Sequence, residues 1–263
     1  MSAPLEDRRL AQGTSEDGAA LAARVGAGRY TMTVVEVCDL TPAIRRLTLT
    51  APDLSALAYA PGQDLMVSVA NADGATVRRR YTIRAFDRDR MRVSVDVLRH
   101  SGGPGARWAR DARPGDTVEA IGPRGKVTLA PDADWHLFAG DASFLPATYR
   151  MAEGLPAGTT AVIALAVESP DEEVPLHTDA TLIGPLWAHS GSGTELADLL
   201  TGTDFPPGVG QAYLGGELRL VAQLRRRLEA RGLPRARISP KGYWRSDAAN
   251  ANHGEPARDP ARD

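Results

Sequence analysis

The chain has 263 residues, of which 43% are hydrophobic, and its formal net charge is -2. This length favours two domains of ordinary size. A nearly neutral chain gives no electrostatic reason to bind nucleic acid, and no apolar stretch approaches the roughly 20 residues that span a membrane. The first residues lack the basic and apolar segments of a signal peptide, so we expect a cytoplasmic protein.

Both ends of the chain have a composition typical of disorder. Residues 1–28 are polar and rich in alanine and glycine, and residues 247–263 are similar. The single cysteine, Cys38, has no partner for an internal disulfide, and its apolar surroundings predict a buried thiol.

Residues 29–130 predict a domain of short antiparallel strands. Turn signals separate segments in which apolar and polar side chains alternate, as in MRVSVDVL at residues 91–98. Strands at this spacing indicate an antiparallel barrel or sandwich. One interruption predicts a short helix with Gly103 at its N-cap and Pro104 at its first position.

Residues 131–246 alternate between strand and helix patterns. The apolar run TAVIALAVE at residues 160–168 is typical of a strand buried on both faces. Residues 217–232 carry the pattern of the last helix. This alternation predicts a mostly parallel α/β sheet after the barrel, with the boundary near residue 131.

The segment RRRYTIR at residues 78–84 places arginines beside a tyrosine and a threonine. Strand alternation puts Arg79 and Tyr81 on one face and Arg80 and Thr82 on the other. A tyrosine ring can lie against a flat cofactor ring while a guanidinium binds phosphate. An exposed strand with a solvated arginine face has the same pattern, so this segment alone leaves both interpretations open.

The start of the predicted short helix is a candidate anion site. In GGPGARW at residues 102–108, glycines let an anion approach the backbone N–H groups, and the helix dipole favours negative charge there. GPRGK at residues 122–126 could support the adenine half of a dinucleotide. Each segment also fits a plain turn.

Five segments in chain order together resemble one family: RRYTIR, DVLRH with GGPGARW, GPRG, AGDASFLPA and KGYWR. They are similar to the siderophore-interacting proteins, which are flavin-dependent ferric-siderophore reductases of the ferredoxin-reductase-like superfamily. The resemblance extends from about Tyr30 to Arg245. It implies a Greek-key β-barrel that binds FAD, followed by an α/β domain like those that bind NAD(P)H.

The resemblance also implies roles for individual residues, with Arg79 toward phosphate and Tyr81 against the flavin ring. Lys241 and Arg245 would attract an anionic substrate, whereas Arg78 and Arg80 remain surface charges. No side chain is needed as a catalytic acid or base, and the scattered histidines predict no metal site. The implied cofactor-binding residues are Arg79, Tyr81, Thr82, His100, Gly103, Pro104, Gly105, Ala106, Gly122, Asp141, Ser143, Tyr243 and Trp244.

The implied activity is reduction of ferric siderophore iron from Fe(III) to Fe(II). NADPH or NADH would donate the electrons, and ferredoxin is another candidate donor. One alternative is a reductase of the same fold that acts on a flavin, a quinone or a biosynthetic intermediate. A second alternative is a binding module that has lost its cofactor.

Three residues depart from the family pattern. Ala106 replaces a serine of the phosphate loop and removes a hydroxyl donor. Phe144 replaces a small residue and predicts a bulkier entrance to the α/β domain. Met66 stands where the family often has a basic residue that binds anionic siderophores, and this favours a different substrate.

Overall fold

The computed structural model describes residues 18–99, 102–189 and 193–245. The first part of the chain forms one antiparallel sheet. Its strands are β1 (Gly28–Asp39), β2 (Ile44–Thr50), β3 (Asp64–Ala70), β4 (Thr76–Thr82), β5 (Ala85–Asp87), β6 (Arg92–Leu98) and β7 (Thr117–Arg124). Their order across the seven-stranded sheet is β4-β3-β7-β1-β2-β6-β5.

The two edge strands of this sheet, β4 and β5, follow each other in the chain. Only Ile83 and Arg84 separate them, and the Arg84 N–H donates to the Ser94 carbonyl of β6 at 2.9 Å. One extended stretch therefore pairs with β3 in its first half and with β6 in its second. This arrangement curls the sheet into a barrel and confirms the predicted antiparallel barrel fold.

Alternate apolar side chains of these strands fill the barrel, among them the fully buried Met32, Leu47 and Leu65. Helix α2 (Pro104–Asp111) adds Ala109 to the same core. The helix begins after Gly103 as N-cap, with Pro104 in its first turn, as the sequence predicts.

A further helix, α1 (Gly18–Val25), precedes the barrel, so the predicted disorder of residues 1–28 is wrong for their described part. Leu21 and Ala22 pack against Met66 and Ile121 of the barrel, and all four are at most 7% exposed. A helix of eight residues is not stable alone, so this packing orders it. The rest of both predicted disordered segments lies outside the described residues.

Cys38 is exposed, contrary to the predicted burial. The register of β1 against β2 shifts between Val34 and Glu36. After this irregularity Val37 packs against the barrel core, and its neighbour Cys38 points outward.

The second part of the chain forms a parallel sheet, which confirms the predicted α/β domain. Its strands are β8 (Trp135–Asp141), β9 (Thr160–Ala166), β10 (Thr181–Ala188), β11 (Gly210–Glu217) and β12 (Ile238–Trp244). The order across the five-stranded sheet is β10-β9-β8-β11-β12. From β8 the chain adds β9 and β10 on one side of the sheet and then β11 and β12 on the other. The topological switch point, at which doubly wound folds bind ligands, therefore lies at the carboxyl ends of β8 and β11.

Helices cover both faces of the parallel sheet. Helix α3 (Leu145–Glu153) packs on one face, and helices α4 (Gly193–Gly202) and α5 (Leu218–Ala230) pack on the other. Ala43 and Ile44 of the barrel join the same cluster as α3, so that face lies against the barrel. The predicted boundary near residue 131 falls in the connection between β7 and β8. Within the described ranges, no helix has both the length and the apolar character needed to cross a lipid bilayer.

A buried carboxylate joins the barrel to the last strand of the parallel sheet. Asp64, the first residue of β3, is 3% exposed. Its Oδ1 accepts a hydrogen bond from Arg80 Nε at 2.9 Å, and its Oδ2 accepts one from Lys241 Nζ of β12 at 3.1 Å. Arg80 is therefore not the solvated surface charge that the sequence predicts. Because two cations share this carboxylate, the position of β12 against the barrel depends on Asp64.

Asp64→Asn should lower the free energy of unfolding by about 3 kcal/mol, because Arg80 and Lys241 would lose their shared counter-charge in a half-buried setting. Urea denaturation measures this loss. Asp132→Asn is the matched control, since Asp132 forms an exposed ion pair with Arg237. Its unfolding midpoint should stay at the wild-type value. Equally small effects of the two variants would contradict the role of Asp64.

Candidate functional site

Strand β4 carries the RRRYTIR segment and has different chemistry on its two faces. Tyr81 pairs in register with Leu65, whose side chain belongs to the barrel core. Arg79, two residues earlier, shares that face, which is directed toward helix α2. Arg80 and Thr82 share the opposite face, which is directed toward the α/β domain. The predicted division of this segment into two faces is confirmed.

The hydroxyl end of Tyr81 lies directly against the start of α2. A Cβ atom added to Gly105 would lie 1.9 Å from Tyr81 Oη and 3.6 Å from Arg79 Cγ. Only glycine leaves this space free. Trp108 of α2 packs beside the Tyr81 ring, with 5.6 Å between the ring centroids. The two segments that the sequence marks as candidates therefore meet in space.

The first turn of α2 is a suitable cradle for a phosphate group. Its N-cap, Gly103, has no side chain to accept hydrogen bonds from the first-turn N–H groups, so those donors are available to an anion. Gly105 and Ala106 are buried in this turn, and the Ala106 methyl replaces a hydroxyl without changing the backbone donors. His100, also predicted to bind the cofactor, lies outside the described residues.

Loss of hydration on burial shifts the pKa values of the two titratable side chains on this face of β4. Burial lowers the pKa of the Arg79 guanidinium, but arginine keeps its charge in proteins. Burial raises the pKa of the Tyr81 hydroxyl, and the charge of Arg79 opposes that rise. A neutral phenol and a partly dehydrated cation thus lie together, a combination that suits a flat ring attached to a phosphate.

The other face of β4 meets the end of β12. The side chains of Thr82 and Tyr243 share a hydrogen bond, and burial raises the pKa of the Tyr243 hydroxyl. Lys241 is only 12% exposed and pairs with Asp64. The structure thus gives Lys241 an internal partner, and its predicted contact with substrate stays a prediction. Arg245 is exposed at the end of the same segment.

Asp141 connects several segments at the carboxyl edge of the parallel sheet. Its Oδ1 accepts hydrogen bonds from the Ser143 N–H at 2.9 Å and the Ser143 hydroxyl at 2.5 Å. Its Oδ2 accepts from the Glu217 N–H at 2.6 Å and from Trp244 Nε1 at 3.0 Å. Burial raises the pKa of Asp141 from 3.8, and these hydrogen bonds oppose the rise. The carboxylate therefore ties the ends of β8, β11 and β12 together.

Gly122 and Met66 lie where β7 approaches β3. A Cβ atom added to Gly122 would lie 2.5 Å from Leu65 Cδ2, so glycine permits this approach, and its predicted cofactor contact stays a prediction. Met66 is buried beneath α1. Its sulfur accepts a hydrogen bond from Arg124 Nη1 at 3.2 Å. Arg124 is a cation that our sequence analysis missed, although it stands inside the GPRG segment.

Phe144 is buried and does not line an entrance, contrary to the sequence prediction. It is 2% exposed, and its ring lies on two glycines at the ends of β8 and β11. A Cβ atom would lie 3.0 Å from the ring if added to Gly140 and 2.1 Å from it if added to Gly215. The ring also meets Tyr243 edge-on, with 5.9 Å between centroids. The large side chain therefore fills space that the two glycines leave.

Comparison with known proteins gives a family match for each domain. Residues 66–127 match the model of the siderophore-interacting FAD-binding domain. Residues 133–247 match the model of the siderophore-interacting protein. The first match contains β4 and α2, and the second contains the whole parallel sheet.

Relatives of this chain include both solved structures and sequences. The crystal structure of a siderophore utilization protein from T. fusca superposes with a TM-score of 0.77 at 30% identity, covering 86% of this chain and 96% of that one. An uncharacterized protein of Mycobacterium tuberculosis is 30% identical over 183 residues, 64% of each chain. The NADPH-dependent ferric-chelate reductase of Escherichia coli is 29% identical over 163 residues, 60% of this chain and 63% of its own. The match thus spans less than two thirds of the length of these two curated relatives.

Gly105→Ala should weaken FAD binding about tenfold, because the added methyl group would push Tyr81 away from the start of α2. Titration of the FAD-free protein with FAD measures the change. Gly102→Ala is the matched control, since its added Cβ meets nothing within 4 Å. Equal FAD affinity in the two variants would show that the close approach of Gly105 to Tyr81 is not required for FAD binding.

Asp141→Asn isolates the titration of this carboxyl group. Burial raises the folded-state pKa above 3.8, so the folded protein holds the proton more tightly than the unfolded chain does. Relative to the variant, the wild type should therefore lose stability as pH rises from about 4 through the raised pKa. Urea unfolding of both proteins across this range gives the difference. A difference that does not change with pH would show that the carboxylate is not desolvated.

Proposed function

The chain belongs to the siderophore-interacting protein family, and on this premise we propose that it is an FAD-dependent oxidoreductase that reduces the Fe(III) of a ferric siderophore or similar ferric chelate. The reaction takes place in the cytoplasm, with NADPH or NADH as electron donor. The contact between Tyr81 and Gly105 carries this proposal. It places a tyrosine that can support a flat ring beside the first turn of α2, which can bind a phosphate.

The described residues fit FAD. Arg79 and the first turn of α2 would hold the pyrophosphate, Tyr81 would support the ring, and the backbone of Thr82 would hydrogen-bond to the edge of the ring. Bound FAD supplies a group that accepts a hydride and releases electrons singly. Gly105 keeps the helix start close to Arg79, and Trp108 holds the Tyr81 ring in place.

Reduction weakens the hold of oxygen-rich chelators on iron, because such ligands bind Fe(III) more strongly than Fe(II). An anionic chelate would be attracted by Arg124 of the barrel and by Arg245 after β12. The name of the Escherichia coli relative, an NADPH-dependent ferric-chelate reductase, supports both the substrate class and the donor.

The burial of Met66 supports a second candidate function. A methionine beneath α1 replaces the basic residue of the family pattern, and an anionic substrate thereby loses one attracting charge. A reductase of the same fold that acts on a flavin, a quinone or a biosynthetic intermediate would not need that charge. Reduced ferredoxin is a second candidate donor, since it delivers single electrons without a dinucleotide site.

Anaerobic stopped-flow spectroscopy tests the ferric substrate directly. The bound flavin is reduced and then mixed with ferric siderophores, a quinone or free flavin, while flavin absorbance is followed. We expect the ferric chelates to reoxidise it fastest, with about two Fe(II) ions trapped for each FAD. Failure of every ferric chelate would refute this substrate, and reoxidation by quinone alone would favour the second candidate.

Two controls accompany this experiment. The double variant Arg79→Ala, Tyr81→Ala should be isolated without FAD and should reduce no iron, and a full complement of FAD in it would contradict the proposed cofactor site. Flavin reduction rates with NADPH, NADH and reduced ferredoxin identify the donor, and we expect NADPH or NADH to be faster than ferredoxin.

A further inference from the structure

Two exposed apolar side chains lie at the carboxyl edge of the parallel sheet. Among the described residues, the large apolar side chains that are exposed are Val209, Leu218 and Trp244, at 41%, 42% and 42%. Val209 precedes β11 at the amino edge, whereas Leu218 begins α5 and Trp244 ends β12. Exposed apolar residues that cluster, unlike scattered single ones, mark contact with a ligand or partner.

Leu218 and Trp244 belong to one surface. The register between β11 and β12 shifts after Gly216, and this shift sets Trp244 opposite Glu217, the residue before Leu218. A Cβ atom added to Gly242 would lie 2.8 Å from Leu218 Cδ1, so the leucine side chain covers the end of β12. We refer to Leu218 and Trp244 together as the Trp244 platform.

The Trp244 ring is held in one orientation although it is exposed. Its indole N–H donates to Asp141 Oδ2 at 3.0 Å, and the same oxygen accepts the Glu217 N–H at 2.6 Å. Asp141 is itself fixed by two hydrogen bonds from Ser143. A tryptophan anchored through its N–H presents a constant apolar surface to solvent. Asp141 is therefore a positioning residue for this ring.

An arginine follows each residue of the Trp244 platform in the chain. Arg219 follows Leu218 and Arg245 follows Trp244, and both arginines are exposed. An exposed apolar ring together with exposed guanidinium groups suits a ligand that is flat, aromatic and negatively charged. A ferric chelate whose iron-binding groups are aromatic has these properties, whereas a chelate built from carboxylates alone has no ring to stack.

The position of the platform favours the chelate over the nicotinamide ring of the donor. That ring must reach the flavin beside β4, and Tyr243 is the aromatic residue of this segment that contacts Thr82 of β4. Trp244 contacts Asp141 at the edge of the parallel sheet instead.

We propose that the Trp244 platform binds the catecholate or phenolate groups of a ferric chelate and makes the protein selective for chelates that carry them. Asp141 positions the ring, and Arg219 and Arg245 attract the negative charge. This inference rests on the proposed reduction of ferric chelates, and it adds the chemical class of the chelate.

Calorimetric titration with gallium complexes tests this platform without electron transfer, because Ga(III) takes the place of Fe(III) and is not reduced by the flavin. The full-length protein with FAD bound is titrated with Ga(III) tris-catecholate and with Ga(III) citrate. Trp244→Ala should weaken binding of the catecholate complex about tenfold and leave citrate binding unchanged. Val209→Ala removes a similarly exposed side chain at the opposite edge and should change neither affinity.

Two further variants separate the role of the ring from general stability. Trp244→Phe keeps a ring and should retain most of the preference for catecholate, even if Trp244→Ala folds poorly. Asp141→Asn should reduce catecholate affinity and leave citrate affinity unchanged, a split that a purely structural role would not produce.

The proposal would be overturned if Trp244→Ala bound both gallium complexes more weakly by the same factor, or if it bound both with wild-type affinity. A higher KM for NADPH as the only change in Trp244→Ala would also overturn the proposal, because the Trp244 ring would then bind the electron donor. Failure of the proposed function is distinguishable from these results. Selective binding of the catecholate complex by a protein whose reduced flavin does not reduce Fe(III) would refute that function and leave the platform standing.

Discussion

Two carboxylates hold strand β12 in place, one in the barrel and one in its own sheet. Asp64, buried in the barrel, pairs with Lys241 in the middle of this strand. Asp141, at the end of β8, accepts a hydrogen bond from Trp244 at the end of the strand. One strand is thereby fixed to the barrel and to the carboxyl edge of its own sheet. Because carboxylates lose much of their hydration in such settings, each needs the partners that β12 provides.

Strand β4 carries the candidate cofactor site and also contacts the second domain. The barrel contributes the first turn of α2 and the Tyr81 face of β4, which suit a phosphate and a ring. The opposite face of β4 reaches the parallel sheet through Thr82 and Tyr243. A flavin held by β4 would therefore lie near the edge of the sheet at which doubly wound folds bind their ligands. Electron donor and acceptor can approach the same ring from this junction.

Local sequence rules predicted most of the strands and helices and the two faces of β4, but not helix α1. Strand alternation predicted the two faces of β4, and the Gly103-Pro104 pair predicted the start of α2. Long-range contacts were beyond these rules. Asp64 and Lys241 are 177 residues apart in the chain, so neither predicts the other. Helix α1 is ordered by packing on the barrel, and the two glycines that receive the Phe144 ring lie on different strands.

The absorption spectrum of the purified protein, with the released cofactor quantified, tests the central claim most directly. A site built from the start of α2 and the Tyr81 face of β4 predicts about one FAD per chain, with visible flavin bands shifted from those of free FAD by the enclosed surroundings. A colourless protein that takes up no FAD on titration would contradict the account, because Arg79, Tyr81 and the glycines at the start of α2 would then not form a flavin site.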